Sequence, residues 1–393
     1  MRSFSKVSAS GSVAVALMVL SAAPAIAQTT PALAVVRVGD GSAALSGAAT
    51  PAFVDFVGVS KPSIALPIAE GANGAAPLTM AGNATSEGFL RLSGNGACLT
   101  LTGYGTAPGT AAVATSTSAA VNRVIGIISN TGVVDTTTRS TTLYSGGNIR
   151  GAASDDCNEF WTTGTASTNG GMELVSPRGA GNAATMLAPT PTNVRVPGRF
   201  GGKIYETSAS GVFVGLNLVT PGSPGTTTLL PGFPGAAGPS PYGFVLFDLN
   251  PAVAGLDVAY VADDRAAASG GGVQKWTFDG TTWTLAATFV PPASTVGARG
   301  LTGRIVGGNA QLFFTSAETS ANSVVTFTDD GSVAPTFTVL ATAAANTVFR
   351  GIDFAPAAPA ASVPAVPPFG TTALAVLLVA VALLALGAAR RRA

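Results

Sequence analysis

A short pattern recurs six times along this chain, and it constrains the fold more than any other feature. At five positions a residue followed by glycine opens a strand-like run, and a sixth position keeps the frame without the glycine. Successive positions are 45 to 63 residues apart, which leaves room for four strands and their loops. A repeat of this length built from short strands is typical of β-propeller blades. The positions are Glu87-Gly88, Arg150-Gly151, Arg195-Val196, Tyr242-Gly243, Arg299-Gly300 and Arg350-Gly351.

The sequence between these positions favours strands throughout. Short runs rich in Val, Ile, Phe and Thr alternate with Gly, Asn, Asp, Pro and Ser, and helical periodicity is almost absent between Gln28 and Ala361. Several units contain a strand, a turn and a second strand, as in 149–153 followed by 159–164. Regularly spaced short strands with turn residues between them predict an all-β fold.

The repeat also predicts how the ring closes. Each of the six positions opens the first strand of a blade, which indicates six blades of four strands. In the sixth of these first strands, 349–354, no further strands follow before the tail. The N-terminal side supplies three spare strands near 33–38, 53–57 and 63–67. If these pair with the last first strand, one blade is shared by the two ends and no sheet edge stays open. We predict a six-bladed propeller over 28–356, with seven blades or two β-sandwich domains as alternatives.

One blade carries a more specific resemblance. The run Tyr260-Val261-Ala262-Asp263-Asp264, followed by Gly271-Gly272-Val273-Gln274-Lys275-Trp276, resembles the "Y-V-A-D … I-Q-K-F" blade of NHL-like propellers. The Asp279-Gly280 pair after it predicts a tight hairpin turn. Both observations favour the propeller.

The N-terminus has the features of a signal peptide. Arg2 and Lys6 form a positive region, 13–20 is apolar, and Ala25-Ile26-Ala27 is a small-x-small cleavage site. The apolar region is too short for a good membrane span, although an uncleaved anchor is the alternative. We predict a signal peptide over 1–27 and a mature chain that begins at Gln28.

The C-terminus has the features of a membrane anchor. An apolar run over 371–389 follows a Pro/Ala-rich segment at 357–370 and precedes a basic tail at 390–393. At about 1.5 Å per residue, 19 residues just cross a hydrocarbon core of about 30 Å. The three arginines, Arg390, Arg391 and Arg392, predict a cytoplasmic tail. The body is therefore expected outside, held off the membrane by the linker.

This tail resembles the bacterial C-terminal sorting signals of the PEP-CTERM type, and most of all the IPTL-CTERM class. That class begins Ile-Pro-Thr-Leu-Ser-x-Trp-Gly before its span. Val363, Pro364, Val366 and Gly370 fit those positions or replace them conservatively, and Phe369 stands where Trp is usual. Two residues depart from the pattern, Ala365 and Pro367. The resemblance implies a Gram-negative envelope, export by the general secretory route and cleavage by a sorting protease. A plain single-span anchor is the alternative.

Composition excludes several functions. Without both ends the body has 15 basic and 19 acidic residues and no basic cluster, so nucleic-acid binding is not expected. Histidine is absent, which excludes Ser-His-Asp and Cys-His nucleophile systems and His-based zinc or haem sites. Cys98 and Cys157, the two cysteines, favour a disulfide in an oxidising compartment, with two separate thiols as the alternative.

The repeat suggests a binding site in the channel that the first strands surround. Its frame gives equivalent places to four arginines, a tyrosine and a glutamate, and converging guanidinium groups bind carboxylate, phosphate or sulfate. An anionic glycan or another envelope polymer fits that chemistry. Alternatively, each arginine bonds carbonyls at a blade junction and the glutamate neutralises one of them. The six residues are Glu87, Arg150, Arg195, Tyr242, Arg299 and Arg350.

Two metal sites are weaker hypotheses. Asp248, Asn250 and Asp257 supply hard oxygen ligands in a short loop and suggest Ca²⁺, with Asx-turns as the alternative. Lactonase-type six-bladed propellers hold a channel metal with Glu, Asn and Asp. The residues that fit this resemblance here are Glu87, Asn148, Asn193 and Asp353.

The sequence as a whole favours an exported propeller that is anchored in the envelope or released at the cell surface. We expect a non-catalytic binding or structural module. The alternatives are a calcium-dependent, lactonase-like hydrolase on the same fold and a structural protein of an extracellular matrix.

Overall fold

The computed structural model describes residues 32–166, 170–179, 181, 184–222 and 224–357. The predicted signal peptide, most of the linker, the sorting motif, the apolar span and the basic tail lie outside these residues. Within the described ranges, no helix is both long enough and apolar enough to cross a bilayer.

The described chain forms six antiparallel sheets of four strands each, and a separate two-stranded ribbon. The N-terminal strands are β1 (Leu33–Val38), β2 (Ala49–Thr50), β3 (Ala52–Val57), β4 (Ile64–Ala65) and β5 (Met80–Ala81). The second blade consists of β6 (Arg91–Leu92), β7 (Cys98–Tyr104), β8 (Arg123–Ser129) and β9 (Val134–Ser140). The third consists of β10 (Ile149–Ala153), β11 (Phe160–Gly164), β12 (Gly171–Val175) and β13 (Thr185–Ala188).

The remaining blades follow in chain order. The fourth consists of β14 (Val194–Phe200), β15 (Lys203–Ser208), β16 (Gly215–Thr220) and β17 (Thr226–Leu229). The fifth consists of β18 (Pro241–Phe247), β19 (Val258–Asp263), β20 (Gly272–Phe278) and β21 (Trp283–Phe289). The sixth consists of β22 (Ala298–Val306), β23 (Asn309–Ser316), β24 (Ser323–Asp329) and β25 (Thr338–Thr342), before the last strand, β26 (Val348–Phe354). Short 3-10 helices lie at Ala72–Gly74, Val113–Thr115, Gly211–Phe213 and Ala267–Ser269.

The first blade is shared by the two ends of the described chain. Its strand order is β26-β1-β3-β4, and β26 pairs antiparallel with β1 from Leu33 opposite Phe354 to Val38 opposite Val348. The strands β6, β10, β14, β18, β22 and β26 each lie beside the next one and form a closed ring. The predicted six-bladed propeller, including its closure by strands from both ends, is confirmed.

The repeated dipeptide is a β-bulge in the first strand of a blade. In the sixth blade Arg299 and Gly300 together oppose the single residue Thr315, and the register shifts at the equivalent dipeptide in the first, third, fourth and fifth blades. In the second blade Glu87 and Gly88 lie just before β6, where the amide of Gly351 donates to the Gly88 carbonyl at 3.0 Å.

The glycine of the bulge is required because neighbouring first strands approach closely there. A Cβ atom on Gly351 would lie 2.2 Å from the Leu90 nitrogen, and one on Gly300 would lie 2.3 Å from the Arg350 oxygen. Both contacts are with backbone of the next blade, which cannot move aside without opening the ring. Close packing between neighbouring blades therefore explains why glycine recurs in the sequence.

Apolar side chains fill the spaces between facing blades. Between the third and fourth blades, Trp161 and Met172 pack with Ile204 and Val219. The predicted disulfide is confirmed. It joins Cys98 of β7 to Cys157 in the turn before β11, with their Cα atoms 6.3 Å apart, and so links the second blade to the third.

Candidate functional site

Five of the six predicted channel residues lie at a bulge, and Glu87 holds the equivalent place just before β6. We call this set the bulge ring: Glu87, Arg150, Arg195, Tyr242, Arg299 and Arg350. Five of them are at most 8 % exposed, and Arg195 is half-buried. The inner strands therefore bring the predicted residues to one end of the channel.

Two arginines of the ring bind the start of the next blade. Arg150 donates from Nη1 to the Val194 carbonyl at 3.0 Å and to the Asn193 side-chain oxygen. Arg195 donates from Nη1 to the Pro241 carbonyl at 3.1 Å and to Ser240 Oγ at 2.8 Å. The Arg195 guanidinium also lies 4.0 Å from the centre of the Tyr242 ring, so it is held by a cation–π contact.

The other two arginines are also engaged by carbonyl groups. Arg350 donates from Nη2 to the Ala81 and Gly82 carbonyls at 2.6 and 2.8 Å. Arg299 donates to the Glu318 carbonyl at 3.2 Å and to the Asp264 carboxylate at 3.1 Å. These contacts are of the kind expected if the arginines join blades.

Glu87 connects the ring to its surroundings. Its carboxylate accepts from the Tyr104 hydroxyl at 2.6 Å, from the Ala81 amide at 3.0 Å and from the Asn148 side-chain nitrogen. It also lies 3.9 Å from Arg350 Nη1. Glu87 is 1 % exposed, so these donors replace the water that would otherwise solvate its carboxylate.

Two further positions recur from blade to blade, although the sequence alone does not show that they are repeated. The residue two places before a ring residue bonds the ring residue of the preceding blade, as Asn148, Asn193 and Ser240 do. The threonine opposite a bulge donates to the ring residue's carbonyl in the next blade, at 2.8 to 2.9 Å. These threonines are Thr163, Thr207 and Thr315. The hairpin between the bulge and the threonine varies in length. The threonines therefore do not stand at a fixed distance from the repeated dipeptides, and the sequence does not reveal them as a repeat.

The ring is nevertheless short of negative charge. The Nε atoms of Arg150 and Arg350 are buried and have no hydrogen-bond partner among the described residues. Burial, with repulsion from Arg195, lowers the pKa of Arg150 to about 10. Burial also lowers the pKa of Arg350 to about 10, with Glu87 opposing that shift and Arg299 adding to it. An anion at this end of the channel would relieve both effects.

The residues proposed for metal binding are held mainly by other contacts. Asp257 accepts from the amides of Leu249 and Asn250 at 3.0 and 2.7 Å, while Asn250 Oδ1 accepts from the Ala252 amide at 3.1 Å. Asp248 is exposed on the same loop. In the part of the chain that the structure describes, no group of three or more Cys, Asp or Glu side chains is placed to hold a metal. Calcium at this loop stays a prediction.

The four residues that fit a lactonase-type metal site do not all share contacts. Glu87 bonds Asn148, and Asn193 bonds Arg150. Asp353 has different partners, since it accepts from the Leu92 amide at 2.9 Å and from Thr302 Oγ1 at 2.8 Å. It lines a cavity farther along the first strands.

That cavity, the channel cavity, has a volume of about 350 Å³ and is lined by residues from or just after all six first strands. Its charged lining residues are Arg91, Asp155, Arg199 and Asp353, and its aromatic ones are Phe200, Phe247 and Phe354. The two positive and two negative side chains balance one another. A balanced, partly aromatic lining is suited to a polar ligand without net charge.

Arg91 crosses the channel beside this cavity. It starts from the second blade, donates from Nε to the Pro197 carbonyl at 2.9 Å, and donates from both Nη atoms to the Phe244 carbonyl at 3.1 Å. Phe244 belongs to the fifth blade, which lies across the ring from the second. Burial lowers the pKa of Arg91, and the Asp353 charge opposes that shift.

Arg199 and Asp155 form the more open side of the cavity. Arg199 Nη2 lies 2.6 Å from the Asp155 carboxylate, and its guanidinium lies 4.5 Å from the centre of a Trp161 ring. Of the charged cavity residues, only Asp353 had been considered a candidate from the sequence. Arg91 and Arg199 each lie four residues after a ring residue, but the other blades have Ser154, Leu246, Gly303 and Phe354 at that place, so no repeat of residue type reveals them.

Comparisons with known proteins add little to this geometry. No family model and no curated protein sequence matches the chain. Among solved structures, an ancestral GH74 enzyme is similar with a TM-score of 0.25 and 11 % identity, over 76 % of this chain and 47 % of that one. The chain thus matches about half the length of that enzyme. So low a similarity leaves the fold to rest on the strand topology described above.

Proposed function

We propose that this chain is an exported, non-catalytic binding module that takes a small polar ligand in the channel cavity. The observation that carries the proposal is that residues from or just after all six first strands surround one cavity with two balanced pairs of charges. At about 350 Å³ it lies at the lower end of the usual range for small-molecule sites.

The lining favours a neutral ligand with several hydroxyl groups, such as a sugar unit. Carboxylates of Asp155 and Asp353 accept hydrogen bonds from hydroxyls, and the Arg199 guanidinium donates to them. Phenyl rings offer apolar surface to the C–H faces between hydroxyls. A strongly charged ligand would leave one of the two charge pairs unbalanced.

A carbohydrate array with the full-length chain, followed by calorimetry on any hit, tests this proposal. Arg199→Gln removes the donor at the open side of the cavity and is expected to weaken binding about tenfold, the effect of roughly 1.4 kcal/mol. Arg304→Gln is the matched control, because Arg304 bonds Gln311 at 2.9 Å and does not line the cavity. Binding that both variants retain in full contradicts the proposal.

An anionic ligand at the bulge ring is the second candidate, favoured by the unpartnered Nε atoms of Arg150 and Arg350. An anionic glycan or envelope polymer supplies the missing negative charge. Sulfate and sulfated glycans are suitable probes. If Arg150→Ala lowers stability and leaves sulfate binding unchanged, the ring has only the structural role.

We also propose that 1–27 directs export and that 371–389 anchors the body in the envelope, with 357–370 as linker and sorting motif. The sequence features of both termini support this. Cell fractionation tests the anchoring, and mass analysis of the mature C-terminus tests cleavage by a sorting protease. A full-length, cytoplasmic chain is the result that overturns this part of the proposal.

A further inference from the structure

Exposed apolar side chains are grouped on one part of the propeller's surface. Eight large apolar side chains of the described residues are exposed, and four of them lie in or beside hairpin turns at one end of the channel. We call these four the apolar tips: Val59 after β3, Val133 after β8, Ile305 at the end of β22 and Val333 after β24. Single exposed apolar residues are ordinary, whereas a group of them marks an interaction surface.

The strand registers place all four tips at the end of the propeller that holds the channel cavity, which we call the cavity face. Each first strand runs from its ring residue to the cavity, as β26 does from Arg350 to Phe354. Leu33 is opposite both Phe354 and Val57, so the turn after β3 lies at the cavity face. The registers of the second and sixth blades place the β8–β9, β22–β23 and β24–β25 hairpins there as well.

The apolar tips belong to three neighbouring blades. One tip is in the first blade, one is in the second and two are in the sixth, so the first blade stands between the other two. The β8–β9 hairpin reaches the first blade, since a Cβ atom on Gly132 would lie 3.6 Å from Ile64 Cδ1. In the sixth blade, a Cβ atom on Gly307 or Gly331 would meet nothing within 4 Å. These hairpins therefore project from the body.

The other half of the cavity face is acidic. Its hairpins in the third and fifth blades carry the exposed residues Asp156, Asp248 and Asp279, and none of the large apolar side chains exposed in the described chain lies in them. In the hairpins of the apolar tips the exposed charges are Lys61 and Asp330, which balance. The cavity face thus has an apolar half without net charge and a negative half.

The chain leaves the propeller from the middle of the apolar half. The strand β26 of the first blade ends at Phe354 on the cavity face, and the last described residue is Ala357. Residues 358–370 separate it from the apolar run at 371–389. This connection spans at most about 50 Å when fully extended. A tether that starts among the apolar tips keeps their effective concentration at the bilayer high.

We propose that the apolar tips insert into the interfacial layer of the lipid bilayer, so that the cavity face lies on the membrane with the first blade closest to it. The proposal rests on the anchor proposed for 371–389 and adds a fixed orientation to it. Insertion removes the aliphatic side chains from water, and Lys61 is placed to bond lipid phosphate. Anionic lipids repel the acidic half, which tilts away. The side of the cavity at Asp155 and Arg199 then stays open to solvent.

A dye attached to the tips of the full-length chain tests the docking. Cys98 and Cys157 are bonded to each other, so Val133→Cys or Val333→Cys supplies the only free thiol for a polarity-sensitive dye. The vesicles consist of phosphatidylethanolamine and phosphatidylglycerol, with a nitroxide on the upper acyl chain of some lipids. Insertion by about 5–10 Å brings the dye to the nitroxide, so we expect a blue shift and about twofold quenching.

Val212→Cys is the matched control. Val212 is 68 % exposed, close to the 65 % of Val133, but it follows β15 at the opposite end of the channel. The emission of a dye at this position is expected to stay the same when vesicles are added. Equal quenching at Val212 and Val133 contradicts the proposed orientation.

Flotation of the same samples separates the docking from the anchor. A chain that floats with the vesicles while the dyes at the tips stay unquenched overturns the docking and leaves the anchor intact. A chain that does not float overturns both. A blue shift without quenching by the nitroxide lipid identifies a protein contact, such as a second copy of the chain, and also overturns the docking.

A double variant tests whether the tips themselves hold the face on the bilayer. Val133→Ser with Val333→Ser is expected to abolish the quenching of a dye at Val59→Cys, while the chain still floats. Val212→Ser is the control and should leave that quenching unchanged. These side chains are exposed, so all the variants are expected to keep the melting temperature of the unmodified chain. Quenching that survives the double variant in full shows that the tips do not dock.

Discussion

The two ends of the channel are built from opposite kinds of sequence. The bulge ring uses residues that recur at one place in each blade, and its arginines bond backbone carbonyls, two of them in the next blade. The channel cavity uses residues that lie three to seven positions after the ring residue of each blade, and their types differ from blade to blade, as Arg91, Asp155 and Asp353 do. In this molecule similar residues recur where the blades are joined, and dissimilar residues line the cavity that we propose as the ligand site.

The difference has a physical reason. Joining one blade to the next poses the same problem around the whole ring, and a bulge with a long donor side chain solves it repeatedly. A ligand lacks sixfold symmetry, so the groups that recognise it must differ from blade to blade. We therefore expect the stability of the propeller to be concentrated at the bulge ring.

The largest effect is expected for Glu87→Ala. The change leaves the Tyr104 hydroxyl, the Asn148 amide and the Arg350 guanidinium without their shared acceptor. Loss of a buried charged partner of this kind costs about 4 kcal/mol of unfolding free energy. Denaturant unfolding measures it.

The control for this change lies at the cavity. Asp155→Ala removes a carboxylate that is 42 % exposed and paired with Arg199, and such a pair contributes less than about 1 kcal/mol. If the two variants lose equal stability, the contrast between the ends of the channel is wrong.

Arg91→Met tests whether the side chain that crosses the channel is structural. The variant keeps much of the apolar stem but leaves the Pro197 and Phe244 carbonyls without their donors. We expect a loss of about 3 kcal/mol, since two buried acceptors become unpaired. Arg199→Met is the comparison, with a loss below about 1 kcal/mol because its partner is exposed. Similar losses in chemical denaturation would remove the distinction between the two arginines.

Glu173 predicts how stability changes with pH. Burial raises its pKa to about 7, from 4.5. The folded chain therefore holds a proton that the unfolded chain has already released, and stability falls as pH rises from about 4.5 to about 7 and then levels off. Between pH 5 and 7 the loss is roughly 2 kcal/mol at 1.36 kcal/mol per pKa unit.

Glu173→Gln should remove this part of the pH dependence. Unfolding curves recorded at several pH values for both chains check it. A pH dependence that the variant retains in full would falsify the assignment to Glu173.

The smallest effect is expected for Thr207→Val. Thr207 Oγ1 donates to the Tyr242 carbonyl at 2.8 Å, and one buried hydrogen bond contributes about 1 kcal/mol. Thr228→Val on the exposed face of β17 should be nearly neutral. Equal melting temperatures for the two variants would show that the threonines opposite the bulges do not join the blades.

Much of the fold could be predicted from local signals. Short strands, turn residues and the glycine repeat indicate six blades, because each blade has to bury its own strands and leave room for its neighbour's backbone. The pairing of β26 with β1 followed from counting, since a first strand without successors needs partners from the other end. The disulfide followed from an even pair of cysteines, although its geometry depends on the contact between two blades.

The contacts of the site could be predicted only in part. The repeat located four arginines at equivalent places: Arg150, Arg195, Arg299 and Arg350. Whether they bind an anion or join the blades stayed open, because the sequence does not show which groups each guanidinium contacts. Arg91 and Arg199 were missed because their roles depend on the width of the channel and on partners up to 153 residues away.

By itself the sequence indicated six blades, the places of the repeated dipeptides and a disulfide between the two cysteines. These follow from local geometry that repeats at each blade. Only the tertiary structure decided which side chains cross the channel, which ones line its cavity and which carboxyl groups are buried. Those properties arise when six sheets close around one axis and bring together residues that no spacing in the chain relates.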